Sequence, residues 1–233
     1  MKRAYAASKY ARPFEQYCRT HFPEEAEQIL QRAEAHYLEF LKDMPDLGKN
    51  MMASNMLDWF TILAFYEASD HRLDGETLLT IKRNALARLK FLGKFVDGNR
   101  HKWPYRLFER AYVKFNRMQK EHQARGEWMD SWKVEINPDH RTEGFCFHLV
   151  GCPIAKHAKA HGYEALLPYL CRTDHFLAEI MHARLSVPRP RRWAATTVIT
   201  GMWAIRVPFL KNIRIWSRSS EGAEQNVQPY PRS

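Results

Sequence analysis

The feature that most constrains the fold is a change in the spacing of apolar residues near residue 130. Before that point apolar side chains recur every three or four residues, as on one face of an α-helix. Residues 132–136 instead alternate apolar and charged, and residues 145–150 alternate again after a turn signal at residues 137–139. The sequence therefore predicts an α+β fold, with a helical part first and a small sheet after it.

The helical part covers residues 1–126, and we predict about four helices in it. They begin near residues 24, 50, 76 and 104; Pro or an acidic residue stands at the first turn of three of them, and Gly98 and Gly126 follow two of the ends. The apolar positions that define these helices are predicted to pack in the core. They include Ile29, Ala33, Tyr37, Phe40, Met56, Trp59, Phe60, Leu63, Leu78, Leu79, Leu86, Leu89, Leu107, Phe108, Tyr112 and Phe115.

A second region, residues 127–185, reads as two strands followed by two helices. Gly151-Cys152-Pro153 ends the second strand and begins a helix, because Pro is favoured at a first helical turn. Gly162 ends that helix, and a longer helix is predicted to run to about Leu185. A basic tail, residues 186–233, forms the third region.

The bulk properties argue against nucleic-acid and membrane partners. The tail supplies +6 of the net charge of +10, and the rest of the chain carries charges of both signs. The longest uncharged stretch, Trp193–Ile205, is shorter than the roughly 20 residues of a membrane span. The start has no apolar run of a secretory signal, and the four cysteines lack disulfide-framework spacing. We expect a reduced, cytoplasmic protein with a small-molecule partner.

The last predicted helix carries the residues with the most chemistry. Cys171, Asp174, His175, Glu179 and His182 follow one another at helical spacing, so they lie near one face. Thiols, carboxylates and imidazoles on one face can bind a metal ion, activate water or act as general acid and base. Cys152 stands at a predicted helix N-terminus, where backbone N–H groups are expected to lower the pKa of its thiol.

Each of these residues also has a plain structural interpretation. A buried cysteine is commonly a small apolar core residue, and Asp174 with His175 can form a structural pair. His157 and His161 are one turn apart without a thiol or carboxylate beside them in the sequence, which favours a surface role. The sequence establishes no cofactor; a divalent metal is a hypothesis that it leaves open.

Short motifs resemble the L-2-amino-thiazoline-4-carboxylic acid hydrolase family. They are Cys152-Pro153, Gly162 and Leu170–Asp174, together with the earlier segment Pro45–Asn50 and Trp132, and the likeness covers roughly Glu24 to Leu185. The resemblance implies a hydrolase acting on a C–N or C–S bond of a small cyclic amidine, giving an N-carbamoyl amino acid.

That reaction needs an activated water or thiolate and a cation for the substrate carboxylate. We assign the catalytic roles to Cys171, Asp174, His175 and Cys152. The substrate-binding candidates are Lys156, Arg184 and His182.

The tail departs from the family pattern, which continues with Arg-Thr-x-Thr, a Gly-rich turn and a Cys-Asp pair before an aromatic strand. Read one base out of frame, the codons of residues 185–190 permit Ile-Arg-Thr-x-Thr, and those of residues 192–205 permit a Gly-Gly-Asp-Asp-Cys-Asp-Tyr-Trp stretch. We therefore interpret the tail as frameshifted sequence. The two predicted strands are then expected to lack neighbours, and a third site cysteine to be missing. The nucleotide sequence from the codon of His182 to that of Arg206 tests this.

Two other interpretations remain. The strand–Cys–helix–Cys arrangement also resembles ligand-binding sensor domains of the 4-vinyl reductase type, in which Cys171 and Asp174 would line a pocket or bind a metal without catalysis. The basic tail with Trp193, Trp203 and Trp216 could instead be a surface-binding arm for membranes or nucleic acid.

Overall fold

The computed structural model describes residues 3–50, 52–98, 100–101, 103–137, 145–182, 184–186 and 199–204. In these ranges no helix is long and apolar enough to span a bilayer.

Short 3-10 helices occupy Ala4–Ala7, Leu41–Asp43, Arg88–Lys94 and Glu164–Leu166. The α-helices are α1 (Ala11–His21), α2 (Ala26–Phe40), α3 (Ser54–Ala68), α4 (Gly75–Ala87), α5 (Trp103–Gln123), α6 (Pro153–His161), α7 (Leu167–Cys171) and α8 (Thr173–Ile180), and the strands are β1 (Lys133–Ile136), β2 (Phe145–Val150), β3 (Arg184–Ser186) and β4 (Ile199–Ala204).

Helix α3 is the centre of the fold. Its apolar residues are buried on nearly every side, because α2 packs along it and α6 also contacts it. Phe65 of α3 stacks on Phe14 of α1 with ring centroids 4.9 Å apart, and Tyr5 meets the edge of the same ring at 5.2 Å. A helix that is apolar all round needs such cover on each face. The predicted α+β class is confirmed.

The sheet is antiparallel, with strand order β1-β2-β4-β3. Val134 of β1 pairs with Leu149 of β2, and Phe147 of β2 pairs with Gly201 of β4. The expectation that β2 lacks a neighbour beyond β1 is therefore wrong, since β4 supplies the missing hydrogen-bonding edge. β4 lies within the region that the sequence treated as a tail.

Two predicted helix boundaries need correction. The first helix begins earlier than predicted, since α1 precedes the helix expected near residue 24 and packs Phe14 and Cys18 into the core. The last helix does not reach Leu185: α8 ends at Ile180, the backbone turns at His182 with φ of 50°, and Arg184–Ser186 pairs with β4. A hydrogen bond from Gly98 N to Met181 O at 2.8 Å fixes this end against the loop before α5.

The segment Pro45–Asn50 joins the helical part to the sheet region. The backbone of Asp46 accepts a hydrogen bond from Asp130 N at 3.1 Å, and the side chain of Asn50 donates to Ser131 Oγ at 3.3 Å. Gly48 has φ of +67°, and a Cβ there would lie 1.9 Å from the Trp128 side chain, so only glycine fits. This segment thus holds the chain that leads into β1 against the start of α3.

Candidate functional site

A small pocket lies where α3, α4, α7 and α8 meet the end of β2 and the start of α6. Its volume is about 160 Å³, close to the roughly 150 Å³ of a cavity that holds one benzene ring. The N-terminal segment forms part of its wall. The lining residues are Lys9, Tyr10, Met52, Asn55, Asp58, Trp59, Ile62, Lys82, Trp132, Leu149, Cys152, Ile154, Ala155, Leu167, Leu170, Cys171, Thr173 and Asp174.

The pocket brings together three of the four residues assigned catalytic roles. Cys152 comes from the turn between β2 and α6, Cys171 from the end of α7 and Asp174 from the first turn of α8. His175 is half-buried beside Asp174 but is not part of the pocket wall. Its positive charge, when present, lowers the pKa of the Asp174 carboxyl.

Two of the three substrate-binding candidates, Lys156 and His182, lie elsewhere. Lys156 is exposed, with its Nζ 4.0 Å from a carboxylate oxygen of Asp130. His182 lies beyond the far end of α8, where its Nε2 is 3.1 Å from Gly93 O. The backbone of Arg184 is in β3, and its side chain lies outside the described part of the structure. Neither Lys156 nor His182 contacts the pocket.

Both pocket cysteines are neutral thiols at neutral pH. Burial raises the pKa of Cys171 to about 12, and the nearby Asp174 adds to the increase. Burial also raises the pKa of Cys152, although the backbone N–H groups of Ala155 and Ile154 act in the opposite direction. The expectation of a lowered pKa at this helix N-terminus is therefore wrong, because loss of hydration outweighs the N–H groups.

Sequence reasoning missed Lys82, which lines the pocket from α4. It is 5% exposed, and its ammonium lies 5.3 Å from the centroid of the Tyr10 ring. Lys82 stands one turn after Leu78 and one turn before Leu86, inside an apolar stripe. A charged residue at a core position of such a stripe was the signal that could have found it.

A second missed group anchors the N-terminal segment at the pocket. Asp58 of α3 is buried and accepts hydrogen bonds from Ser8 Oγ and from Lys9 Nζ, each at 2.8 Å. The Lys9 ammonium is thus neutralised by Asp58 although it also lines the pocket. The Asp58 carboxylate fixes Lys9 and Tyr10 as one wall of the site.

Lys82 and Asp174 shift each other's titration in the same pocket. Burial lowers the pKa of Lys82 to about 8, and the negative charge of Asp174 opposes that decrease. Asp174 has an exposed surface on the open side of the pocket, yet the surrounding protein raises the pKa of its carboxyl by desolvation. The positive charge of Lys82 opposes this increase. The pKa values of both groups are therefore closer to neutral pH than those of free Lys and Asp side chains.

Behind the pocket wall, His157 and His161 stack with ring centroids 4.2 Å apart. His157 is buried rather than on the surface, so the expected surface role is wrong for this residue, whereas His161 is exposed. Asp43, distant in sequence, lies 4.0 Å from His161 Nε2. Within the described ranges, Asp43, His157 and His161 form the group with metal-ligand spacing, their ligand atoms lying within 4.8 Å of one another.

This group fits a metal ion poorly in the arrangement seen. Trp59 Nε1 donates a hydrogen bond to His157 Nδ1 at 3.2 Å, and indole nitrogen can only donate. The proton of neutral His157 therefore sits on Nε2, which leaves neither ring nitrogen with a free lone pair. Burial lowers the pKa of His157 to about 4, and this keeps the ring neutral and able to accept from Trp59.

Residues 49–199 match the family model described as L-2-amino-thiazoline-4-carboxylic acid hydrolase. The chain belongs to this family. No curated protein and no solved structure matches the chain. The match begins later than the resemblance predicted from the sequence and ends later, at Ile199 rather than Leu185.

The matched range of the hydrolase family holds most of the pocket but not all of it. Cys152, Cys171, Asp174, Asp58 and Lys82 fall inside the range. The wall formed by the N-terminal segment lies before it. In this chain, residues from outside the matched range therefore complete the pocket wall.

Proposed function

We propose that this protein hydrolyses a small cyclic amidine, such as L-2-amino-thiazoline-4-carboxylate, to an N-carbamoyl amino acid. The family name is that of such a hydrolase. The observation that carries the proposal is the pocket of single-ring volume lined by Cys152, Cys171 and Asp174. We also propose a reducing, cytoplasmic setting, which is supported by four cysteines that are all free.

In the proposed reaction, Asp174 is the general base. A water oxygen bonds to the ring carbon between the sulfur and the two nitrogens, and Asp174 accepts a proton from that water. The carbon–sulfur bond then breaks, and the sulfur takes up that proton as the thiol of the ring-opened product. The remaining hydroxyl proton is released to solvent as the carbon–oxygen double bond forms, because the ring nitrogen of the cationic amidine already carries its proton. The product keeps both nitrogens and is the N-carbamoyl derivative. An Asp with a raised pKa suits this proton transfer.

Incubation of the purified full chain with L-2-amino-thiazoline-4-carboxylate tests the proposal. We expect a product heavier than the substrate by one water, together with one new thiol per product molecule. A thiol-specific reagent and mass spectrometry follow the two changes independently. An unchanged substrate at high enzyme concentration would reject the proposed activity for this chain.

The pocket thiols are predicted to contribute shape rather than covalent chemistry. Because the pKa of Cys171 is about 12, its thiol stays protonated at neutral pH, and Cys171→Ala is expected to change kcat by less than about tenfold. Removing a true nucleophile costs several orders of magnitude. Initial rates of Cys171→Ala and Cys171→Ser, with intact-protein mass during turnover, distinguish the two routes. A covalent adduct on wild-type Cys171 would refute the water route.

A sensor domain of the 4-vinyl reductase type is the second candidate. The apolar side chains of Ile62, Leu149 and Leu167 on the pocket wall favour it, since an apolar ligand needs such a surface. A sensor would be stabilised by its ligand without converting it. Thermal unfolding with and without ligand, measured beside the turnover assay, separates the two functions.

A further inference from the structure

Lys82 presents a buried ammonium to the pocket without an ion-pair partner. Its side chain is 95% covered, and in the described part of the chain no carboxylate forms a salt bridge with it. Its Nζ lies 5.3 Å from the centroid of the Tyr10 ring. A buried ammonium without a partner is costly, and an anion that enters the pocket removes that cost.

The other charges of the pocket determine which groups remain open to a ligand. Asp58 holds the Lys9 ammonium at 2.8 Å and also binds Ser8, so this pair is satisfied. Asp174 forms no hydrogen bond or salt bridge within the described residues and faces the open side of the pocket. The pocket therefore offers one free cation, Lys82, and one free anion, Asp174, among the described residues.

We propose that Lys82 binds the carboxylate of the substrate while Asp174 faces its amidine group. This inference rests on the proposed function and specifies its substrate class: a zwitterionic amino-acid-derived ring that carries a carboxylate and a cationic amidine. The carboxylate and the amidine of such a ring match the free cation and the free anion across a pocket of about 160 Å³. The assignment replaces Lys156 and His182, which lie away from the pocket.

Ligands that lack one charge test the assignment. We compare L-2-amino-thiazoline-4-carboxylate with 2-amino-2-thiazoline, which has the amidine but no carboxylate, in wild type, in Lys82→Met and in the exposed-lysine control Lys90→Met. Loss of one charge-assisted contact is expected to weaken binding of the carboxylate ligand by roughly 10- to 100-fold in Lys82→Met. Binding of 2-amino-2-thiazoline is expected to change by less than about threefold, and Lys90→Met to match wild type. Equal losses for both ligands in Lys82→Met would overturn the assignment.

A second measurement needs no variant and no turnover. Competitive acetylation of the wild-type chain, read by peptide mass spectrometry, reports the reactivity of Lys82. Thiazolidine-4-carboxylate, which has the carboxylate but no amidine, is expected to protect Lys82 and leave Lys90 unchanged. Unchanged labelling of Lys82 at saturating thiazolidine-4-carboxylate would overturn the inference. Protection without turnover of the thiazoline would instead reject the proposed function and leave the carboxylate site standing.

Discussion

Replacing Asp174 by Asn is expected to lower kcat for thiazoline opening by roughly 10²- to 10⁴-fold, the usual contribution of a general base. Asn keeps the size of the side chain but cannot accept the proton from the attacking water. The substitution leaves the fold intact, because Asp174 forms no hydrogen bond or salt bridge among the described residues. Steady-state rates test the predicted loss of kcat, and the unfolding temperature of the same preparation tests whether the fold is intact.

Glu179→Gln is the matched control for this experiment. Glu179 is an exposed carboxylate on the same helix, α8, and it does not line the pocket. Its replacement is expected to leave kcat and KM unchanged. A comparable loss of rate in both variants would show that Asp174 acts through general electrostatics of α8 and not as the base.

The pH profile gives the Asp174 prediction a second readout. The reaction requires an ionised Asp174 and a protonated Lys82. On the acid side, kcat/KM should decrease as the pH falls through the pKa of Asp174, which is raised above the usual Asp range. On the alkaline side, it should decrease as the pH rises through the Lys82 pKa of about 8. The Asp174→Asn variant loses the acid limb. Because the Asp174 charge raises the pKa of Lys82, the alkaline limb of this variant should also move to lower pH. An alkaline limb that stays in place would contradict the coupling.

Local sequence patterns were sufficient to predict the main elements. The α-helical spacing of apolar residues predicted α2 to α5, and period-two alternation predicted β1 and β2. The end of α8 was not predictable in this way, because it depends on partners distant in sequence. Gly98 binds the Met181 carbonyl, and β4 pairs with Arg184–Ser186. A periodicity argument sees neither contact.

The site was predictable only where its residues share one local element. Helical spacing grouped Cys171 with Asp174, and the structure has both on the pocket wall. Lys82 and Asp58 stand on α4 and α3, and only the packing of these helices brings them to α8. The pKa of Cys152 was misjudged for a related reason. The helix N-terminus is visible in sequence, but the burial that outweighs it is not.

Lowering the pH from 6.5 to 4 is expected to reduce the free energy of unfolding by roughly 2–3 kcal/mol through His157 alone. Burial lowers the pKa of folded His157 from 6.5 to about 4, so the unfolded chain binds more protons between these values. Stability is therefore lost as the pH falls through this window, and below about pH 4 His157 contributes no further loss. The neighbouring charge of His161 acts in the same direction, and Asp43 opposes it.

Urea unfolding of wild type, His157→Gln and His71→Gln at several pH values measures this contribution. Gln can still accept the hydrogen bond from Trp59 but does not titrate, so the His157→Gln curve should be flatter between pH 6.5 and 4. His71 is exposed beside Glu67, and its replacement should leave the slope unchanged. Because Trp59 also lines the pocket, protonation of His157 would remove the acceptor that holds one pocket wall. Parallel curves for wild type and His157→Gln would mean that His157 does not carry the acid sensitivity of the fold.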